Sequence, residues 1–254
     1  MARAAVPGRL SQRLIWRVAR VVDSWDETPT ARTIVFDVPG WPGHLAGQHV
    51  DVRLTAEDGY STQRSYSIAA PADGDRVELT VQRVDDGEVS PYLTEVISAG
   101  DPVEIRGPVG GWFIWHPDDP RPVLLVAGGS GIVPLMAMVR ARQASGVRTP
   151  FRLIYSVRTS GERYYAAELR RLERSADGVD VAYVYTRAAP EGWTRPLGRI
   201  GVDDITAHGW PPDFDPLCFV CGPTAFVEAV AGILTSLDHE PSAIKTERFG
   251  PTGG

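Results

Sequence analysis

One short run of the sequence combines a guanidinium group, two hydroxyls and an aromatic ring: Arg64-Ser65-Tyr66-Ser67. The run lies between stretches that are typical of β-strands, in which side chains alternate between two faces. Arg64 and Tyr66 would then share one face, and the two serines the other. A guanidinium binds phosphate, a ring packs against a planar cofactor, and a hydroxyl can bond a ring nitrogen. An ordinary half-buried strand fits this run equally well, so its meaning depends on the other motifs.

A second candidate phosphate site is the segment containing Gly87, Val89, Ser90 and Pro91. A serine followed by a proline is typical of an N-cap and the first helical residue, so the sequence predicts a short helix that begins at Ser90. A helix N-terminus carries unpaired N–H groups and a partial positive charge, which suit a phosphate. The alternative is a helix that only covers one end of a barrel and binds nothing.

The third motif is the glycine-rich run Gly128-Gly129-Ser130-Gly131, which follows the continuous apolar stretch 123–127. Such a stretch is typical of a strand that is covered on both faces of a parallel sheet. The run differs from the dinucleotide fingerprint G-x-G-x-x-G, because Pro134 occupies the last position. It can still place the N-terminus of the following helix against a pyrophosphate.

Further polar residues fall near the carboxyl ends of other predicted strands, where ligands bind in α/β sheets. The set consists of Arg158, Thr186, Arg187, Arg195 and the tripeptide Cys221-Gly222-Pro223. Each arginine alone is typical of a solvated surface. Together on one rim they suit a nucleotide phosphate and favour NADPH over NADH.

The cysteines and histidines do not form a recognisable metal site. Cys218 and Cys221 are the only cysteines, and both lie in one apolar run, which is typical of a buried strand. A zinc site would need a second pair or added histidines, and an iron–sulfur cluster needs four ligands. The five histidines are scattered along the chain. We therefore expect no metal.

These residues require two kinds of domain to position them. Residues 14–117 contain about six short alternating strands separated by turns, which predicts a closed antiparallel six-stranded β-barrel of the Greek-key type. Residues 122–254 alternate strands with helices, which predicts an α/β nucleotide-binding domain with a parallel sheet. In this half the pattern places helices at 132–144, 162–174 and 223–237. We expect residues 1–13 to be a disordered lead-in.

Composition narrows the class of protein. The 254 residues are 43% hydrophobic and 23% charged, with a net charge of −6. This charge argues against nucleic-acid binding, which needs a basic face. No apolar run reaches the roughly 20 residues that span a bilayer. We expect a cytoplasmic monomer that does not bind membranes.

The succession of motifs resembles that of the ferredoxin–NADP reductase superfamily, from about residue 16 to residue 250. No single motif is specific, but their order along the chain is. The motifs are Arg64-Ser65-Tyr66-Ser67, Gly87-x-x-Ser90, Gly107-Pro108, Gly128-Gly129-Ser130-Gly131, Cys221-Gly222-Pro223 and Glu247-Arg248-Phe249-Gly250.

The resemblance implies roles for the matching residues. On the flavin side, Arg64 would contact a flavin phosphate, Tyr66 would lie against the isoalloxazine ring, Ser67 would lie near flavin N5, and Ser90 with its neighbours would bind a second phosphate. On the nucleotide side, the glycine run would bind the NAD(P) pyrophosphate, Thr186-Arg187 a 2′-phosphate, and Cys221 would lie beside the nicotinamide. Glu247 and Phe249 would approach the flavin ring. Ser67, Cys221 and Glu247 are thus the expected catalytic residues.

The implied reaction is hydride transfer from NAD(P)H to the flavin, with FAD favoured over FMN, and then release of electrons to another molecule. We expect no fused iron–sulfur domain, so the acceptor would be separate: a ferredoxin, a haem or molybdenum protein, or a small oxidant. Two other hypotheses stay open. The chain could be a stand-alone flavin reductase or oxidase, or a non-catalytic flavin-bearing subunit that relays electrons.

Overall fold

The computed structural model describes residues 14–56, 58–175 and 177–250, and contains two sheets in the predicted order. The predicted fold class is confirmed: an antiparallel six-stranded sheet is followed by a parallel five-stranded sheet with helices. The prediction for residues 1–13 lies outside the described residues. None of the helices within these ranges has both the length and the apolar character needed to cross a bilayer.

The first sheet closes into a barrel. Its strand order is β4-β3-β6-β1-β2-β5, and a bridge between Ile68 and Leu79 joins the two outer strands. Because β6 lies between β1 and β3, the connections are of the Greek-key type. Alternating apolar residues such as Val50 and Val52 fill the interior. The strands are β1 (Trp16–Thr28), β2 (Ala31–Asp37), β3 (His49–Thr55), β4 (Ser61–Ser67), β5 (Arg76–Gln82) and β6 (Pro102–Val109).

The helical segment between β5 and β6 begins one residue earlier than predicted. Helix α1 covers Val89–Pro91 and continues as a π-helical turn over Tyr92–Val96, with Glu88 at the N-cap position. The prediction that Ser90 is the N-cap is therefore wrong. The Ser90 hydroxyl accepts a hydrogen bond from the Val84 N–H at 3.1 Å, so it holds the segment against the loop that follows β5.

The second sheet is parallel, with strand order β11-β10-β7-β8-β9. Its central strand β7 is buried along its whole length, as the continuous apolar stretch predicts. The strands are β7 (Val123–Gly128), β8 (Phe151–Thr159), β9 (Val179–Ala188), β10 (Leu217–Pro223) and β11 (Ile244–Phe249). The helices are α2 (Ile132–Ser145), α3 (Ala166–Arg174), α4 (Val202–His208) and α5 (Thr224–Ser236).

Two helices in this half differ from the sequence-based expectation. Helix α3 begins at Ala166 and not near residue 162, because Tyr165 has a left-handed backbone with φ of +54° that interrupts the helical pattern. Helix α4 was not predicted. It is only seven residues long, and its first turn carries two aspartates, so its apolar periodicity is weak.

An arginine of the second half ties the two halves together. Arg140 on α2 donates to Glu78 Oε1 at 2.6 Å and to the Ala69 carbonyl at 2.9 Å, both in the barrel. The same guanidinium binds Glu168 on α3 at 2.6 Å. Because Ala69 is two residues beyond Ser67, this contact fixes the end of β4 relative to the helix that follows the glycine run.

Candidate functional site

The barrel and the parallel sheet meet at a direct contact between two predicted catalytic residues. Ser67, the last residue of β4, donates its hydroxyl proton to Glu247 Oε1 of β11 at 3.1 Å. Ser67 is buried and Glu247 is half-buried. The structure therefore brings together two residues that are 180 positions apart in the sequence.

The third predicted catalytic residue lies next to this pair. Cys221 on β10 is the register partner of Glu247 on β11, and its side chain is fully buried. Burial raises the pKa of the Glu247 carboxyl to about 7, although the hydrogen bond from Ser67 opposes the shift. Burial also raises the pKa of the Cys221 thiol well above its usual value, and the Glu247 carboxylate adds to this effect. Cys221 is therefore a neutral thiol, and Glu247 can gain or lose a proton near neutral pH.

The glycine run lies where the order of the parallel strands reverses. Strand β7 is the first strand of this sheet along the chain and lies at its centre, between β10 and β8. Because the chain continues to opposite sides of β7, a crevice forms beyond the carboxyl end of this strand. Close packing requires the glycines here. A Cβ on Gly131 would lie 2.1 Å from the Cys221 carbonyl oxygen, and one on Gly128 would lie 2.8 Å from the Phe226 ring. Gly129, at φ of +54°, faces open space instead.

This crevice opens into a cavity of about 230 Å³ between the sheet and the barrel. Several of its residues were predicted from their place after β-strands, namely Gly128, Gly129, Ser130, Arg158, Thr186 and Pro223. Sequence reasoning did not assign a site role to Thr30, Gln82, Val157, Glu162, Tyr164 or Phe226, which also line it. Thr30, in the turn between β1 and β2, and Gln82, at the end of β5, belong to the barrel. No sequence pattern indicates that these barrel residues line the cavity of the nucleotide-binding half.

On β4 the structure separates the members of the first motif. Tyr66 is half-buried against the barrel core. Arg64 is exposed, and among the described residues its guanidinium bonds only to the Gln63 carbonyl, at 2.7 Å. Ser65 lies on the other face, where its hydroxyl donates to Asp51 at 2.7 Å. The Ser65 hydroxyl is thus bonded within the barrel, whereas most of the Arg64 N–H donors have no partner in the part of the chain that the structure describes.

The remaining predicted flavin contacts are spread over two segments. Gly87 precedes α1, and Val89 and Ser90 are buried within it. Phe249 ends β11 opposite Pro223 and packs at the edge of the core of the parallel domain.

The predicted phosphate-binding arginines fall into two groups. Arg158 and Thr186 line the cavity, and Arg187 is an exposed neighbour of Thr186 at the end of β9. Arg158 and Arg187 form no salt bridge with any described residue. Arg195 instead donates to Asp204, the first-turn acid of α4, and to the Tyr183 carbonyl at 3.3 Å. The structure therefore does not bring Arg195 to the cavity, because the unpredicted helix α4 supplies it with a partner.

Comparisons with known proteins match both halves separately. Residues 20–114 match the family model of the oxidoreductase FAD-binding domain, and residues 125–232 match that of the oxidoreductase NAD-binding domain. The residues present fit these groups: an exposed arginine beside a half-buried tyrosine for FAD, and an open glycine loop at a strand reversal for the nucleotide.

Several curated proteins are similar over nearly the whole chain. A flavohemoprotein of Deinococcus radiodurans is 27% identical, with 99% of this chain and 62% of that protein covered. The glycine betaine monooxygenase reductase subunit of Chromohalobacter salexigens is 30% identical, with 92% and 64% covered. The NADH–cytochrome b5 reductase 1 of Mortierella alpina is 28% identical, with 89% and 76% covered. The chain thus spans about three fifths to three quarters of the length of these relatives.

Solved structures agree with this result. The Amycolatopsis cytochrome P450 reductase GcoB superposes with a TM-score of 0.83 at 26% identity, with 97% of this chain and 73% of that chain covered. A ferredoxin–NADP+ reductase of Neisseria gonorrhoeae has the same fold, with a TM-score of 0.74 at 19% identity over 92% of this chain and 98% of that one. The chain is therefore an oxidoreductase in which an FAD-binding domain is followed by an NAD-binding domain, and its fold is that of the ferredoxin–NADP+ reductases.

Proposed function

We propose that the chain is a reductase that passes electrons from NADPH through bound FAD to a separate one-electron redox protein. The observation that carries the proposal is the 3.1 Å hydrogen bond between Ser67 and Glu247. It joins the end of the flavin motif on the barrel to the strand beside the nucleotide crevice, so ligands of both domains would meet at this place. We assign residues 14–117 to flavin binding and residues 122–254 to nucleotide binding.

The chain's own residues would bind, orient and shield the two cofactors. Bound FAD supplies a ring that accepts two electrons from a reduced nicotinamide and can pass them on one at a time. Arg64 would bind a flavin phosphate, Tyr66 would support the ring, and the glycine run would hold the pyrophosphate of the nucleotide. Cys221, fully buried near the end of β10, would lie beside the nicotinamide.

Glu247 and Ser67 would hold and transfer a proton where the barrel meets the parallel sheet. A carboxyl with a pKa of about 7 is nearly half protonated at neutral pH, so it can supply or take up a proton there. Ser67 can relay a hydrogen bond because its hydroxyl both donates and accepts.

The preference for NADPH rests on Arg158, Thr186 and Arg187 at the ends of β8 and β9. Arg187→Ala should raise the KM for NADPH by about tenfold and change the KM for NADH less than twofold, because one charged contact to a 2′-phosphate is worth about 1.5–3 kcal/mol. Arg148→Ala is the matched control: this arginine is also exposed, but it precedes the opposite end of β8. Equal effects on both nucleotides would refute the phosphate assignment.

An anaerobic titration tests the proposed function as a whole. Purified protein reconstituted with FAD is titrated with NADPH and with NADH, and flavin absorbance reports reduction. Oxidised cytochrome c is then added as a one-electron acceptor, and its reduction is followed. Protein that takes up no flavin, or whose flavin neither nucleotide bleaches, would refute the proposal, and rapid reoxidation by dioxygen alone would favour a stand-alone oxidase.

A further inference from the structure

The loop after β8 contains a residue in a backbone conformation that disfavours its side chain. Tyr165 has φ of +54°, in the left-handed region, where a residue with a Cβ loses about 1–2 kcal/mol. Such a conformation persists only when surrounding contacts determine it. The Arg140 guanidinium of α2 lies over the Tyr165 ring, and the hydrogen bonds of its N–H and hydroxyl go to the barrel, which is the other domain.

Two hydrogen bonds fix Tyr165 to the barrel. Its backbone N–H donates to Glu27 Oε2 at 2.8 Å, and its hydroxyl donates to Thr80 Oγ1 at 2.6 Å. The Thr33 hydroxyl completes a closed circuit, since it lies 2.8 Å from Thr80 Oγ1 and donates to Glu27 Oε1 at 2.9 Å. Thr33, Thr80 and Tyr165 are all buried, so water competes little for these bonds.

The same loop forms one wall of the nucleotide cavity. Glu162 and Tyr164 line the cavity from the sheet side, and Thr30 and Gln82 line it from the barrel side. Tyr165 directly follows Tyr164, and Thr80 is two residues before Gln82 on β5. The circuit therefore connects the two opposing walls at their base.

We propose that Glu27 is a positioning residue for hydride transfer: it holds the 160–165 loop against the barrel and thereby sets the spacing of the two cavity walls. The inference rests on the proposed function, because the spacing matters only if a nicotinamide and a flavin meet in the cavity. Glu27 contacts neither cavity nor cofactor site directly, and it acts through the Tyr165 N–H. Misplacement of reacting groups by about 1 Å can cost up to a hundredfold in rate.

The test compares Glu27→Ala, Glu27→Gln and a control, Glu104→Ala. Glu104 is also a carboxylate of the barrel, but its partner, Arg53, lies in the barrel as well. In Glu27→Ala we expect amide hydrogen exchange of residues 160–166 to accelerate at least tenfold. We also expect flavin reduction at saturating NADPH to slow about tenfold, with flavin content unchanged. Glu27→Gln keeps an oxygen acceptor for the Tyr165 N–H and should recover the rate to within threefold.

The outcomes separate the two proposals. Equal exchange in Glu27→Ala and Glu104→Ala would show that Glu27 does not hold the loop. Faster exchange with an unchanged rate of flavin reduction would show that the loop does not position the reaction. If the unsubstituted protein is not reduced at all, the proposed function fails, and the positioning role fails with it. The anaerobic titration of the unsubstituted protein detects that result without any variant.

Discussion

At the scale of single residues, the proposed proton transfer depends on how burial changes the pKa of the Glu247 carboxyl. Desolvation favours the neutral acid, and the Ser67 hydroxyl only partly compensates, so the pKa rises from the ordinary value of 4.5 to about 7. The folded state therefore binds this proton more tightly than the unfolded state does. The resulting stabilisation is present in full below about pH 4.5 and is lost as the pH rises towards 7.

Glu247→Gln should remove this pH dependence. Between pH 4.5 and 7.5, the free energy of unfolding of the native chain should fall relative to that of the variant by up to about 3 kcal/mol, which follows from 1.36 kcal/mol per pKa unit. Urea unfolding at several pH values measures the difference. Glu240→Gln, which changes an exposed carboxylate, is the control and should show no such trend. A constant difference between the native chain and Glu247→Gln would contradict the raised pKa.

Sequence reasoning at this scale identified types of residue better than their partners. Alternation along β4 placed Ser65 and Tyr66 on opposite faces, as observed. It could not show that Asp51 on the neighbouring strand would occupy the Ser65 hydroxyl, or that the Val84 N–H would occupy that of Ser90. Nor could it show that Asp204 of the unpredicted helix α4 would bind the guanidinium of Arg195, which was predicted to bind phosphate.

At the scale of elements, the end of β10 and the start of α2 are packed as closely as backbone allows. Gly131 leaves no room for a side chain, since its Cβ would overlap the Cys221 carbonyl. Both elements border the crevice, so this contact determines its depth. The atoms that a Cβ on Gly131 would meet are backbone atoms, which cannot move aside as the flexible end of a side chain can.

Gly131→Ala should therefore separate the two elements, lower the free energy of unfolding by about 2–4 kcal/mol and weaken NADPH binding at least tenfold. Thermal unfolding and nucleotide titration measure the two effects. Gly232→Ala is the matched control, because Gly232 lies within α5 with open space around its Cβ position. That substitution should raise stability by up to about 1 kcal/mol and leave nucleotide binding unchanged. Similar behaviour of the two variants would contradict the close contact.

The regular elements were the most predictable feature of the fold. Every predicted strand is present. A strand covered mainly on one face, such as β5, alternates apolar and polar residues, whereas a strand covered on both faces, such as β7, is continuously apolar. The start of α3 was predicted four residues too early. Tyr165 lies at helical spacing from Leu169 and Leu172, but its side chain bonds to Thr80 of the barrel and its backbone is left-handed, and local periodicity does not contain that information.

At the scale of the whole molecule, one half-buried cation, Arg140, joins three elements from two domains. The Arg140 guanidinium binds Glu78 of the barrel and Glu168 of α3, and all three side chains are largely shielded from water. Burial works against the charge of Arg140, but its two carboxylate partners outweigh it and raise the pKa of Arg140 above its usual value. Removing the cation would leave two carboxylates facing each other without compensation.

Arg140→Met should lower the free energy of unfolding by about 3–5 kcal/mol and allow the two domains to unfold in separate steps. Calorimetry measures both the midpoint and the number of transitions. Arg121→Met breaks an ion pair of similar length with Asp119 at the surface and should cost less than about 1 kcal/mol. A single transition with an unchanged midpoint in Arg140→Met would contradict a role in joining the domains.

The contact between Ser67 and Glu247 also bears on how the protein is made. A ribosome releases the barrel strands first, and this domain can fold while the sheet is still being synthesised. Glu247 belongs to β11, which is translated after every other strand of both sheets. A nascent barrel that has already captured its flavin thus lacks the acidic partner until translation has passed β11, so oxidoreductase activity would begin only after both domains have been synthesised.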